Sequence, residues 1–423
     1  MKRSPLLVIF TTVFIDLIGF GIVIPVLPFY VEGAGSRFHA SPRMVGFLVA
    51  SFSIMQLIFS PILGRLSDKY GRRPILLYSV IGTGLSFLIL GFATTLWVLF
   101  LGRILDGISG GNISTAQAYI ADVTTPENRA KGMGLIGAAF GLGFIFGPLL
   151  GGVLSRWGMA VPFFFAAGLS FANATLIYFT LPETVTAERM SRARIEVGSF
   201  FSRWTALFES LRSGPFGLVL IIYFLLIVAF SIMTTTFALY TQFRFSYDAA
   251  HNGNIFAFIG VIAVLVQGVL FGRLAKIFGE VRLVVVGCAL LAIALFAFPY
   301  VGPQAGGLIA LLTLVGVLAV GNSLATPALT TLSSKSATGE NQGTTLGVAQ
   351  SAASAARAVG PLLAAFLIHS AVSARQIDDH SVLRTFWVSA VIVAAAGILA
   401  VYFLIAYSNI EGKAPPPEVE AIT

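Results

Sequence analysis

Long apolar runs alternate along this chain with short polar breaks. A helix rises 1.5 Å per residue, so about 20 apolar residues cross a hydrocarbon core ~30 Å thick. Twelve runs reach that length, at about 6–30, 45–64, 75–94, 96–120, 132–155, 160–181, 215–240, 252–273, 282–301, 305–330, 343–369 and 383–407. Each is bounded by Gly, Pro or charged residues, so the pattern predicts twelve transmembrane helices and no soluble domain. The longest polar segment, 182–214, divides them six and six. The predicted organisation is a six-helix bundle over 1–181, a cytoplasmic linker over 182–214, a second six-helix bundle over 215–408 and a cytoplasmic tail over 409–423. Within the linker, Phe200, Phe201, Trp204, Leu207, Phe208 and Leu211 share one helical stripe, which predicts an amphipathic helix on the membrane surface. The first run is too long for a signal peptide. It holds Asp16 and leads into Pro25-Val-Leu-Pro28 with no small-residue cleavage pattern.

The halves repeat one another. Gly134, Gly147 and Pro148 recur as Gly347, Gly360 and Pro361; Gly111-Asn112 recurs as Gly321-Asn322; Gly64-Arg65-Leu66 recurs as Gly272-Arg273-Leu274. Three matches in the same order and at near-constant offset imply a duplicated unit. Secondary transporters are built from such repeats, with substrate bound between them near the membrane midplane.

Composition agrees: 57% of residues are hydrophobic, 10% are charged and the mean hydropathy is +0.91. Soluble domains carry about 25% charged residues. The net charge of +8 does not indicate nucleic acid, because the basic residues sit in short loops rather than on one polar face. With the N-terminus cytoplasmic, 18 Lys and Arg lie on that side and 6 on the other, which predicts both termini inside. Histidines 39, 251, 369 and 380 are scattered near loops, so no metal or hydrolytic cluster is predicted, and no phosphate-binding loop is present. Neither an enzymatic nor an ATP-driven role is expected. Cys288, the lone cysteine, allows no internal disulfide.

Four charges interrupt the spans: Asp16, Arg103, Asp106 and Arg357. Each would cost roughly 2.5–3.5 kcal/mol at a helix centre facing lipid, so each must face a cavity, pair or titrate. Asp16 and Asp106 lie near mid-depth and can carry protons, with Arg103 tuning them; the alternative is a static Asp–Arg pair. Arg357 shares a stripe with Gln350, Ser354 and Pro361, which reads as cavity lining for an anionic group, or as a partner for Asp106; the alternative is snorkelling. Gln56, Gln267, Asn112 and Gln117 are further polar candidates, with the asparagine the most structural. Tyr223, Phe230, Phe237 and Tyr240 share a face of the seventh span, open to substrate stacking or to core packing.

The motifs resemble one family. Gly64-Arg-Leu-Ser-Asp68-Lys-Tyr-Gly71-Arg72-Arg73-Pro74 is similar to the signature loop of the major facilitator superfamily. Gly134, Gly143, Gly147-Pro148 and Gly151-Gly152 resemble the antiporter motif of its twelve-helix drug:proton exchangers. The run from Asp16 to Pro28 resembles the first helix of tetracycline-efflux proteins, and Arg103 the family's fourth-helix arginine. The resemblance implies the major facilitator fold, an all-α protein of two pseudo-symmetric six-helix bundles. It implies a multi-pass protein of a bacterial inner membrane, acting as a monomer on small-molecule substrates, with protons as the coupling ion and no cofactor. It also implies that Gln56 and Gln267 line the pocket, that Asp68 faces the start of the eleventh helix and that Arg72 pairs with Asp122. Those two contacts would lock the outward-open state and release inward. Where tetracycline exporters carry acids on helices three and nine and a histidine on helix eight, this chain has Ser86, Leu291 and Ala263. The expected activity is therefore proton-coupled export of amphipathic molecules by alternating access, with a symporter or facilitator for an organic anion or lipid-like molecule as the alternative.

Overall fold

The computed structural model describes residues 5–32, 36, 38, 40–186, 214–335, 342–368 and 379–407. The predicted amphipathic helix of the linker and the tail beyond 407 lie outside those residues. The first half contains α1 (Pro5–Glu32), α2 (Pro42–Tyr70), α3 (Arg72–Gly91), α4 (Leu96–Ser109), α5 (Ile113–Val123), α6 (Pro126–Leu154) and α7 (Val161–Thr180). The second contains α8 (Gly214–Phe245), α9 (Ala249–Leu265), α10 (Phe271–Phe278), α11 (Glu280–Ala297), α12 (Gly307–Lys335), α13 (Gln342–Leu367) and α14 (Asp379–Tyr407).

These make twelve traverses, because two are built of two pieces. A 3₁₀ turn at Gly110–Asn112 joins α4 to α5, and a π-helical turn at Val266–Leu270 joins α9 to α10. Among the described residues, ten helical stretches are long and apolar enough to cross a membrane. The α4–α5 traverse is broken at its turn, and α13 carries Gln350, Ser351, Ser354 and Arg357 among small residues.

One end of the molecule, hereafter the basic end, holds Arg65, Lys69, Arg72, Arg73, Arg273, Lys276, Arg282 and Lys335. Each bundle has its own apolar interior. In the second, Leu220, Ile232, Phe237, Tyr240, Phe298 and Phe386 are buried together. The first is bound by small residues, since close helix approach in a membrane depends on them. Gly143, Gly147 and Gly151 lie one turn apart on α6 and meet α1; a Cβ on Gly147 would stand 2.7 Å from the Gly21 Cα.

Close approaches between the bundles lie at the far end, and along α6 and α9 they continue to Gly260, where a Cβ would collide with the Ile145 side chain. A Cβ on Gly253 of α9 would stand 2.6 Å from the Pro148 carbonyl of α6, and one on Gly46 of α2 2.8 Å from the Pro361 carbonyl of α13. Gly46 and Gly253 are each the fifth residue of their helix, and Pro148 and Pro361 are repeat equivalents. The seal is thus one contact made twice, once on each side of the pseudo-twofold axis. Gly152 adds to it against the Ala249 carbonyl, Phe47 meets Phe366 edge-on at 5.8 Å, and the Arg43 Nε donates to the Ile368 carbonyl at 2.5 Å. Toward the basic end the partners separate. A Cβ on Gly137, Gly268, Gly272 or Gly347 would meet nothing within 4 Å, and α10 buries none of its residues. The far end is closed, and the space between the bundles opens toward the basic end.

A methyl at the seal is expected to force α6 and α9 apart. Gly253→Ala should cost on the order of 1–3 kcal/mol in thermal stability and lengthen the far-end distance between spin labels on α6 and α9. Gly268→Ala should leave both unchanged. An unchanged far-end distance in Gly253→Ala would contradict the seal.

Candidate functional site

The interior charges divide into one closed pair and two open groups. Arg103 and Asp106 lie one turn apart on α4. The Arg103 Nη1 donates to Asp106 Oδ2 at 2.7 Å, and both side chains are almost fully buried. The guanidinium also stacks on the Phe52 ring at 4.4 Å from its centroid. Aromatic faces attract such cations. Asp106 therefore turns to its own helix, and the described ion pairs include none between Asp106 and Arg357. The geometry is that of the static pair, closed on α4 and packed on α2.

Asp16 sits mid-way along α1. Its Oδ2 accepts from Asn112 Nδ2 at 2.5 Å, and its Oδ1 is buried with no hydrogen-bond partner. Asn112 belongs to the 3₁₀ turn between α4 and α5, so the break in that traverse lies beside Asp16. The turn is held from α2 as well, since Gln56 Nε2 donates to the Gly110 carbonyl at 2.9 Å. The second half repeats this tie: Gln267, in the π-helical turn, donates to Ser323 Oγ at 3.4 Å. Both glutamines bind the second traverse of their bundle to the fourth. One turn below Asp16, Thr12 donates to Asn173 Oδ1 of α7 at 3.2 Å. Asp16 is thus anchored inside the first bundle.

Arg357 is half-buried on α13, and its Nη2 donates to Ser354 Oγ at 3.0 Å. Gln350 and Ser354 are half-buried on the same stripe, and Gln117 is half-buried on α5. Tyr240 is a correction to the expected cavity set. It is fully buried, and its hydroxyl donates to the Phe298 and Val301 carbonyls at 2.8 and 2.9 Å. A phenol needs a partner when buried, and the backbone turn after α11 supplies it. Phe237 is equally buried, so this part of the aromatic face of α8 is core.

The basic end carries the second constellation. Ser67 Oγ donates to the Gly64 carbonyl at 2.6 Å. Arg72 donates to Ser67 Oγ at 2.6 Å, to Asp68 Oδ1 at 2.6 Å and to Asp122 Oδ2 at 3.0 Å. The Arg72–Asp122 contact is therefore present. It does not separate as expected while the space opens toward the basic end, because both partners belong to the same bundle and move together. Asp68 is also satisfied from within its own bundle; the side chains at the start of α13 lie outside the described residues. Glu183 was not apparent in the sequence. Its carboxylate accepts from the Arg72 and Arg73 backbone N–H groups at 2.9 and 3.1 Å, capping α3 as carboxylates at helix N-termini do. Its position three residues past α7, in what reads as plain linker, hid that role.

The antiporter-motif residues have two faces. Gly143, Gly147 and Gly151 meet α1, whereas Pro148 and Gly152 meet α9 of the other bundle; Gly134 lies nearer the start of α6.

Comparison with known proteins resolves what these parts belong to. The model of the Major Facilitator Superfamily matches residues 9–361 and 270–422. The chain belongs to the major facilitator superfamily. The class H tetracycline resistance protein of Pasteurella multocida is 34% identical over 376 residues, covering 88% of this chain and 91% of that protein. Multidrug resistance protein 2 of Bacillus subtilis (strain 168) is 31% identical over 369 residues, covering 86% and 89%. Among solved structures, the human organic anion transporter MFSD10 (TETRAN) superposes with a TM-score of 0.71 at 24% identity, covering 94% of this chain and 99% of that one. The nucleoside transporter NupG does so with a TM-score of 0.68 at 14% identity, covering 96% and 99%. This superfamily member is a multi-pass membrane transporter rather than an enzyme. Among the described residues, no group of three His, Cys, Asp or Glu side chains could hold a metal.

The Arg103–Asp106 pair makes a testable prediction. Removing one partner leaves a buried charge, which costs about 3–5 kcal/mol, whereas replacing both with apolar residues is often neutral. Asp106→Leu and Arg103→Met should each lower stability by that order, and the double variant should recover most of it. A double variant as unstable as the summed singles would contradict the closed pair.

Proposed function

We propose that this transporter exports amphipathic small molecules in exchange for protons, with Asp16 carrying the proton. The observation that carries the reading is the Asp16 carboxylate: one oxygen is held by Asn112, and the other is buried without a donor. An uncompensated charge in low dielectric is costly, and a proton taken there cancels it. The Asn112 contact can persist with either protonation state, so the group can load and unload without rebuilding the bundle. Asp106 does not compete for the role, because Arg103 occupies it. On α3, Ser86 is buried and donates to the Gly82 carbonyl of its own helix, so that helix offers no acid.

Export is supported by the named resistance functions of the relatives and by the motif glycines of α6, which bind α1 on one face and the opposite bundle on the other. A helix that carries both contacts couples the surroundings of Asp16 to the far-end seal. Rocking 1–181 against 215–408 would open the far end and close the basic end. We place the protein in a bacterial inner membrane as a monomer, with the basic end and both termini cytoplasmic. The excess of Lys and Arg at that end supports this orientation.

Asp16→Asn is expected to insert normally and to lose pH-gradient-driven uptake of an amphipathic fluorescent probe such as dansylglycine into inside-out vesicles. Exchange of substrate down its own gradient should persist. Full gradient-driven uptake by Asp16→Asn would overturn the carrier assignment.

A further inference from the structure

The charges inside the bundles do not cancel locally. Arg103 and Asp106 neutralise each other at 2.7 Å. Asp16 takes a proton in the exchange described above. Arg357 remains. A guanidinium has five N–H donors, and the described hydrogen bonds use one of them, to Ser354 Oγ. No carboxylate among the described residues lies within ion-pair distance of it. Arginines at the ends of the spans are also matched: Arg72 has Asp68 and Asp122, and Arg244 donates to the Pro299 carbonyl at 3.1 Å.

The position of Arg357 decides what can match it. It lies one turn toward the basic end from Pro361, whose carbonyl meets Gly46 of α2 in the seal. Arg357 is therefore directly beneath the closed end, on a helix that borders the space between the bundles. At 1.5 Å per residue it is about 15 Å from the nearer end of α13, too deep to reach the headgroup level by extending its side chain. Its neighbours on the stripe, Ser354 and Gln350, are neutral hydrogen-bonding groups. An unpaired cation at that depth is expensive, and a planar fork of donors matches a carboxylate, sulfonate or phosphate oxyanion.

We propose that Arg357 is the anion-recognising group of the substrate chamber, and that the transported class is amphipathic organic anions bearing such an oxyanion. The anion supplies the charge that the protein withholds from Arg357. Ser354 positions the guanidinium. Asp16 and Arg357 then divide the work between bundles, the proton being held in the first and the anion in the second. The inference rests on the transport reading for its flux but not for its binding.

The test uses three dansyl probes of nearly one size: dansylglycine, an anion; its methyl ester, neutral; and dansylcadaverine, a cation. Binding to the purified full chain is read by fluorescence anisotropy, and flux by proteoliposomes with an imposed proton gradient. The unaltered protein should bind dansylglycine at least about tenfold more tightly than its ester, as expected when one partner of a buried charge pair is lost. Arg357→Ala should erase that preference and change dansylcadaverine binding less than twofold; Arg357→Lys should retain part of it. Equal binding of acid and ester by the unaltered protein overturns the inference without any variant, as does failure to bind any of the three. An equal loss of all three probes in Arg357→Ala, with Arg357→Lys no better, also overturns it. Arg357-dependent binding without gradient-driven flux sinks the exchange reading and leaves this inference standing. Gradient-driven flux of dansylcadaverine with no preference for the acid does the reverse.

Discussion

An ionised side chain inside a lipid-embedded bundle must be matched by another charge, solvated or discharged. Each alternative has a different structural signature, and this chain uses several. Arg103 and Asp106 match one another and close off, stacked on Phe52. Asp16 is half-matched, with one oxygen on Asn112 and one on nothing. Arg357 is left with a hydroxyl. The first pair holds α4 to α2. In the proposed reading the other two groups change state only if something arrives, a proton in one case and an anion in the other. A transporter needs that distinction, because a fully compensated interior would have no reason to load.

The second constraint is steric. Helices that separate and rejoin need surfaces without side chains that interlock. Gly253 against the Pro148 carbonyl and Gly46 against the Pro361 carbonyl provide such a surface twice, related by the internal repeat. Proline also removes an N–H and loosens the helix around it. The same stretch of α6 meets α1 through Gly143, Gly147 and Gly151. The helix that bears Asp16 is thus packed on a helix that forms half of the seal. Coupling between proton and gate requires no longer path than that.

Much of this was legible in the sequence, and the limits have physical causes. Twelve apolar runs and their division at 182–214 follow from length and hydropathy alone, and the duplicated glycines and prolines give the pseudo-symmetry. The Arg72–Asp122 contact followed from the family resemblance. Its persistence while the basic end is open did not, because which bundle a partner moves with is a property of the assembled fold. Glu183 and Arg43 act on backbone groups, and backbone partners leave no mark in side-chain patterning. Tyr240 shares a helical face with residues that might have lined a cavity, but periodicity gives a face and not what lies opposite it. The breaks at Gly110–Asn112 and Val266–Leu270 are equally invisible to hydropathy, although both sit where a glutamine ties the second traverse of a bundle to the fourth.

The account depends on the polar stripe of α13 facing water that reaches it from the basic end. Cys288 is buried and is the only cysteine, so its replacement by Ser gives a clean background. Into that background a cysteine is placed at Ser354, and oriented proteoliposomes are treated with a small, charged, membrane-impermeant thiosulfonate. Rapid modification from the basic-end side, with little from the other side in the absence of a gradient, is the result expected. Reaction from neither side, or only with a lipid-soluble thiol reagent, would mean that the stripe is dry or faces acyl chains, and would contradict the account.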